Sequence, residues 1–360
     1  MIGARLELAR EATGLSLREL VAAMDRPVSA TAISKYERNE MQPSAGILAS
    51  LARALQVPLA YLMSKREIEL GNLEFRKSVS SEKREEHATR AALSEYLDRY
   101  LAVEEILDMP SLTWATPKLK SAIVIQPEDA EEAAIELRER WKLGTDPLPD
   151  LVQLLEERGV KVALLNLPAG VFGSMAQGTV KMGRALKPVA AIVLNNSHQN
   201  GERQRFTLAH ELAHLVLDAK AFDDKTHEKA ADRWAGAFLV PKAALLAETG
   251  AHRQNITVAE LLSLKRLFGV SVLVILSRLR QLDVLPNVSM GPLWATVNKL
   301  GWKDGRTAEP HALVPYQPNA RLTRLVLRAL SEDAITESRA CELLRASRFE
   351  LEQLLDQQLA

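Results

Sequence analysis

Two histidines stand four residues apart in His210-Glu211-Leu212-Ala213-His214. On a helix, residues four apart differ by about 40° in azimuth and one turn in height, so both imidazoles can reach one tetrahedral ion. Glu211, about 100° round from His210, is then placed to approach a water in an open coordination position and act as a general base. This is the chemistry of metal-assisted hydrolysis. Cys341 is the single cysteine, which excludes a disulfide scaffold and every Cys-based zinc cluster. Any metal must be held by His and carboxylate.

A catalytic site needs a third protein ligand and one vacancy. Glu228, fourteen residues after His214, is the candidate, because Asp232 lies one turn further on and can accept the other ring N–H of a ligating His. His227 is the competing third ligand, and three histidines would suit a structural or non-peptidase site. His198, just before the motif, reads as a loop residue. The Glu228-x-x-x-Asp232 arrangement resembles thermolysin-like zinc peptidases.

The elements that must carry these residues follow from periodicity. A helix from Arg203 to about Asp218 presents Phe206, Leu208, Leu212, Leu215 and Val216 as the apolar surface of a buried helix. A second runs from Thr226 to Leu239 and ends at Val240-Pro241. Upstream, Pro127-Glu128-Asp129 opens a helix over Ala130 to Leu143, which Gly144 stops, and Pro149-Asp150 opens another to Gly159. Val160–Leu165 and Pro188–Asn195 read as strands, and the Gly-rich Val171–Met175 as a turn between them. The block is α+β.

Residues 1–64 fit five short helices, Ile2–Thr13, Ser16–Met24, Thr31–Arg38, Ser44–Leu55 and Pro58–Met63, with Gly14 as a breaker and Ser16 as a cap. Small and polar residues front the third helix, whose apolar residues come only at intervals, which suits one face in a DNA major groove. Periodicity alone equally allows an all-helical protein-interaction module. The chain is neutral overall, which argues against coating nucleic acid along its length, but residues 1–66 hold nine Lys and Arg against six Asp and Glu, a net of +3.

Length suggests two or three domains. Lys65–Asp108 reads as a long amphipathic helix, a packed connector or a dimerisation helix, closed by a loop over Met109–Pro127. From Pro286 the sequence is loosely written as far as Pro318; helices follow at Arg321–Leu330, at Glu337–Leu344 and at the end of the chain. The predicted boundaries are 1–66, 67–126, 127–285 and 286–360. Charges at helical spacing in the first twenty residues are unlike a signal peptide, and no uncharged run approaches the roughly 18 residues of a membrane span. The expectation is a soluble, cytoplasmic chain without membrane contact.

Gly14-Leu15-Ser16, Leu20, Ile33-Ser34-Lys35-Tyr36-Glu37-Arg38, Pro43 and Leu51–Val57 together resemble the XRE family of phage-repressor-type DNA-binding domains. That resemblance implies that Ser29, Thr31, Ser34 and Lys35 face DNA, with the second helix against the backbone. Leu17 stands where the family often has Gln. Phe172-Gly173-Ser174, Ile192–Asn195, Arg205–Leu215 and Glu228–Pro241 resemble the ImmA/IrrE metallopeptidase family. Glu74-Phe75-Arg76 and the tail from Ala329-Leu330 through Ala340–Leu344 are similar to the subfamily that fuses the two.

The resemblance implies a multidomain chain: an all-α helix-turn-helix domain (1–66), a helical connector (67–126), an α+β zincin-like metallopeptidase domain (127–285) and a helical C-terminal region (286–360). It implies a gluzincin-like zinc endopeptidase, with Zn2+ on His210, His214 and Glu228, Glu211 as base and Asp232 behind a ligand. Family members are associated with cleaving a repressor at a defined site, releasing prophage, mobile-element or stress genes. The expected partners are a double-stranded operator, a repressor-type substrate and a second copy of the chain. The alternative is a non-proteolytic, antitoxin-like transcription factor whose zinc domain senses a ligand or partner.

Overall fold

The computed structural model describes residues 2–64, 66–71, 83–109, 113–167, 171–182, 185–198, 200–218, 224–317 and 319–357. Glu74-Phe75-Arg76 lies outside them. Five short helices open the chain, α1 (Ile2–Thr13), α2 (Leu17–Ala23), α3 (Ala30–Glu37), α4 (Ala45–Ala54) and α5 (Leu59–Met63). Strand β1 (Glu67–Leu70) and the long helix α6 (Lys83–Ile106) follow, then α7 (Ala130–Arg140), α8 (Leu151–Glu157) and strands β2 (Val160–Leu165), β3 (Gly173–Met182) and β4 (Ala185–Asn195). Next come α9 (Gly201–Val216), α10 (Asp224–Leu239), α11 (Lys242–Thr249), α12 (Val258–Phe268), α13 (Val272–Gln281) and α14 (Asn287–Lys299). Helices α15 (Ala320–Ser331), α16 (Glu337–Leu344) and α17 (Arg348–Gln357) complete the chain. The architecture is multidomain: a helical helix-turn-helix region, an α+β part with a four-stranded mixed sheet, and a helical C-terminus. No helix among the described residues is long and apolar enough to cross a membrane.

Backbone contacts divide the chain into two compact units that interleave in sequence. The first comprises Met1–Trp114, Glu156–Asn196 and Gln317–Ala360. Its sheet has the order β1-β3-β4-β2, antiparallel except for the parallel β2–β4 pair. The segment expected as a turn at Val171–Met175 instead enters β3 at Gly173 and pairs with β4 throughout. A glycine in this strand answers a close approach rather than a bend: a Cβ on Gly178 would stand 2.0 Å from the Glu69 carbonyl oxygen of β1. That neighbour was itself hidden inside the stretch predicted as helix from Lys65. Helix α6 and the C-terminal helices bury Leu93, Tyr96, Leu97, Tyr100, Leu322, Val326 and Leu343 in one core with sheet residues Ala163, Ala176 and Ala191. Tyr96 donates its hydroxyl to the Val162 carbonyl oxygen at 2.8 Å, and Lys161 pairs with Glu104 at 2.8 Å in the same interior.

The second unit, Ala115–Leu155 with Ser197–Tyr316, is helical. Its brace is Glu131 on α7, which accepts from Arg278 of α13 at 2.7 Å and from Arg233 of α10 at 2.8 Å. Burial pushes the Glu131 carboxyl up, but the hydrogen bonds and charges of Arg278 and Arg233 outweigh it and hold the group below the ordinary carboxylate range. Helix α14 lies in the stretch read as loosely written. Gly291 and Pro292 oppose a helix locally, yet Met290 and Val297, two turns apart, are both buried, and packing overrides propensity.

Candidate metal centre and nucleic-acid interface

Helices α9 and α10 pack against each other and carry the chemistry-bearing residues. Asn200 caps α9, its side chain accepting from the Arg203 N–H at 2.7 Å, so the helix begins at Gly201, nine residues before His210. Nearly the whole of α9 is buried, which is why its polar residues are tied down. Glu202 pairs with Lys265, and Arg205 donates to the carbonyl oxygens of Leu148 and Pro149. On α10, Trp234 stacks on Phe238 with ring centroids 4.6 Å apart. Arg138 of α7 donates to the Phe238 carbonyl oxygen at 2.6 Å, fixing the far end of the helix. Burial lowers the Arg138 guanidinium to about 10, against the opposing charge of Asp146, so it stays protonated at neutral pH.

His210, His214 and Glu228 are the one group of His, Cys, Asp or Glu among the described residues whose ligand atoms all lie within 4.8 Å of one another. The Nε2 atoms of His210 and His214 are 3.0 Å apart, and the two Glu228 oxygens stand 3.4 Å from His210 Nε2 and 3.5 Å from His214 Nε2. A tetrahedral zinc with bonds of about 2.0 to 2.1 Å has ligand–ligand edges of about 3.3 Å, close to these nearest separations, so two imidazole nitrogens and the Glu228 carboxylate, whose two oxygens face one histidine each, suit such an ion. The side chains of the two histidines are only 2% and 4% exposed and that of Glu228 is 35% exposed. The trio is therefore shielded on the α9 side and open on the carboxylate side.

The outer ring nitrogens have partners too. His210 Nδ1 lies 2.9 Å from Asp232 Oδ1, and His214 Nδ1 lies 3.2 Å from His227 Nε2. His227 is thus beside the far edge of His214, away from the Nε2 atoms that converge. Glu211 is buried at 4% exposure, one residue after His210 on the same helix. His198 stays outside the group; its backbone oxygen accepts from Gln204 at 3.0 Å, and burial, then the Arg203 charge, lowers its imidazole. Sequence reasoning passed over Glu131, Arg233 and Arg278, which hold α10 in place. No local signal singled out Glu131 and Arg233, because α7 and α10 carry several other charges.

In the helix-turn-helix module three serines start three successive helices: Ser16, Ser29 and Ser44 each accept from the backbone N–H three residues on. Leu6, Leu20, Ile33, Leu48, Leu51 and Leu62 form its core, with Leu17 packed on its edge. Arg10 pairs with Glu37 at 2.6 Å and ties α1 to α3. The face of α3 away from this core carries Thr31 and Lys35, both exposed, with Ser34 half-buried and Ser29 exposed at the cap. The base of the module is fixed to α6: Asp98 accepts from Arg5 at 3.0 Å and from Ser64 at 2.6 Å.

Two families match the chain. Residues 6–62 match a family described as helix-turn-helix, and residues 156–280 match one described as an IrrE N-terminal-like domain. No curated protein matches the chain. The chain carries an XRE-type helix-turn-helix domain and, after it, an IrrE/ImmA-like peptidase-family domain, the fused architecture of a DNA-binding regulator with a protease-like domain.

Proposed function

We propose that this regulator hydrolyses a peptide bond in a repressor-type partner protein, with zinc held by His210, His214 and Glu228. The observation that carries the reading is the convergence of three ligand atoms from α9 and α10, with the buried Glu211 directly following one of the ligating histidines on α9. Bound zinc would supply a Lewis acid and a water of lowered pKa. Glu211 takes the proton of the attacking water and returns it to the departing amine nitrogen. Asp232 accepts the His210 Nδ1–H, which keeps that ring's Nε2 lone pair directed inward. A repressor-type substrate suits a protease-like domain tethered to an operator-binding one, because both then act on the same stress, prophage or mobile-element genes.

In the helix-turn-helix module, Thr31, Ser34 and Lys35 on α3, with Ser29 at its cap, face the major groove. A dimer on a palindromic or repeated operator supplies the surface that one small module lacks. The test pairs Glu211→Gln with His214→Ala, scoring cleavage of a co-encoded repressor-type protein by mass spectrometry and control of its genes. Glu211→Gln should keep zinc and operator binding while losing both cleavage and derepression. Normal gene control by Glu211→Gln, with no fragments even from the wild type, would leave the domain as a sensor instead.

A further inference from the structure

We propose that His227 is the positioning residue for His214: its Nε2 accepts the Nδ1–H of His214 and so fixes the ring whose Nε2 faces the metal position. The proposal rests on the zinc reading above and deepens it. His214 Nδ1 and His227 Nε2 are 3.2 Å apart, and the two rings stand at 88° with centroids 4.6 Å apart. An imidazole that ligates through Nε2 carries its proton on Nδ1. His214 is then the donor in this contact, His227 Nε2 must offer a lone pair, and the His227 proton sits on its own Nδ1. In that state the His227 Nε2 lone pair is committed to His214, so His227 is no third ligand.

One short stretch of α10, from His227 to Asp232, therefore does three jobs. Glu228 contributes the carboxylate, Asp232 one turn later holds His210 at 2.9 Å, and His227 one residue earlier holds His214. The two braces differ in kind. Asp232 is a carboxylate with a 51% exposed side chain, whereas His227 is a half-buried imidazole. An outer partner of a ligating histidine usually contributes about 10- to 100-fold in metal affinity by fixing the tautomer and orientation of the ring.

The experiment measures zinc affinity of the full chain by chelator competition, with cobalt(II) absorption as a report on the coordination shell, for wild type, His227→Ala, His227→Gln and His227→Leu. Glutamine can put an amide oxygen close to where Nε2 stood; leucine fills space without an acceptor. His227→Ala and His227→Leu should bind zinc about 10- to 100-fold more weakly. His227→Gln should recover most of that loss, and all four saturated proteins should show the same cobalt spectrum and one metal per chain. Wild-type affinity in His227→Ala, or leucine equal to glutamine, would overturn the positioning role while leaving the zinc reading intact. A changed cobalt spectrum or lost stoichiometry in His227→Gln would overturn it in favour of His227 as a ligand. A wild-type chain that holds no zinc would overturn both. Circular dichroism and melting of the metal-free proteins identify any variant that loses affinity only because it fails to fold; in that case His227→Gln against His227→Leu, compared at equal stability, decides.

Discussion

Helix α3 and the pair α9–α10 handle polar chemistry in opposite ways. In α3 the buried face is apolar, with Ile33 and Tyr36 in the core, and Thr31 and Lys35 stand exposed. In α9 the two motif histidine side chains and Glu211 are buried, Glu228 and Asp232 of α10 approach them from a partly exposed side, and each histidine ring nitrogen has a partner within 3.5 Å. A surface that meets a large, hydrated polyanion needs donors left free until contact. A site that holds one small ion needs its donors fixed beforehand, because an outer partner sets the tautomer and orientation of each ring. Substitutions in α3 should therefore change binding and spare stability, whereas those around α9 and α10 should change both or act through geometry.

The largest expected effect is on rate. Glu211→Gln should lower peptide hydrolysis by about 10²- to 10⁴-fold with zinc content unchanged, as removal of a general base does; single-turnover assays beside metal analysis measure both. A proportional loss of zinc would mean that Glu211 acts on the ion's retention, and would blur the contrast between base and ligands. Next comes stability. Glu131→Ala leaves Arg278, whose side chain is 1% exposed, without its carboxylate and should cost about 3 kcal/mol by urea unfolding. A cost as small as that of a surface change, within about 0.5 kcal/mol, would show that α10 is held by packing alone.

Lys35→Ala should weaken operator binding by about 1 to 3 kcal/mol if it reads a base, or lower the salt slope by about one if it contacts phosphate. Its melting temperature should match wild type. The smallest effect concerns pH. Glu131 has a folded pKa below its unfolded value, so its contribution is fully present above the unfolded pKa of about 4.3 and is lost as pH falls through the folded value. Glu131→Gln should flatten the acid limb of the stability profile and leave the profile near neutrality with its wild-type slope.

The same contrast explains what could be read in the sequence. The five N-terminal helices are legible to within a residue or two because their serine caps, Gly14 with its positive φ, and their apolar spacing are all local signals. Strand β2 matches its predicted span, since it is a buried apolar run interrupted only by Lys161, whose charge Glu104 meets inside. The histidine pair could be named because spacing on a helix is itself geometry; Glu228 was a candidate on the strength of Asp232 one turn later, and its carboxylate lies with the pair. Strand β1 was hidden because its partner residues, Gly178 to Lys181, lie more than a hundred residues away, and β3 because it begins at Gly173 in a stretch that reads locally as a turn. His227 could be placed near the site but not on the right edge of His214. That depends on how α10 lies against α9, which no local pattern encodes.

The central claim is that His210, His214 and Glu228 hold one zinc ion. Its most direct test is metal analysis of the purified full chain after zinc reconstitution and removal of free metal, for wild type, Glu228→Gln and Glu211→Gln. The account predicts about one zinc in wild type and in Glu211→Gln, with clear loss in Glu228→Gln. A wild-type chain without zinc, or a Glu228→Gln chain that retains it in full, would contradict the account.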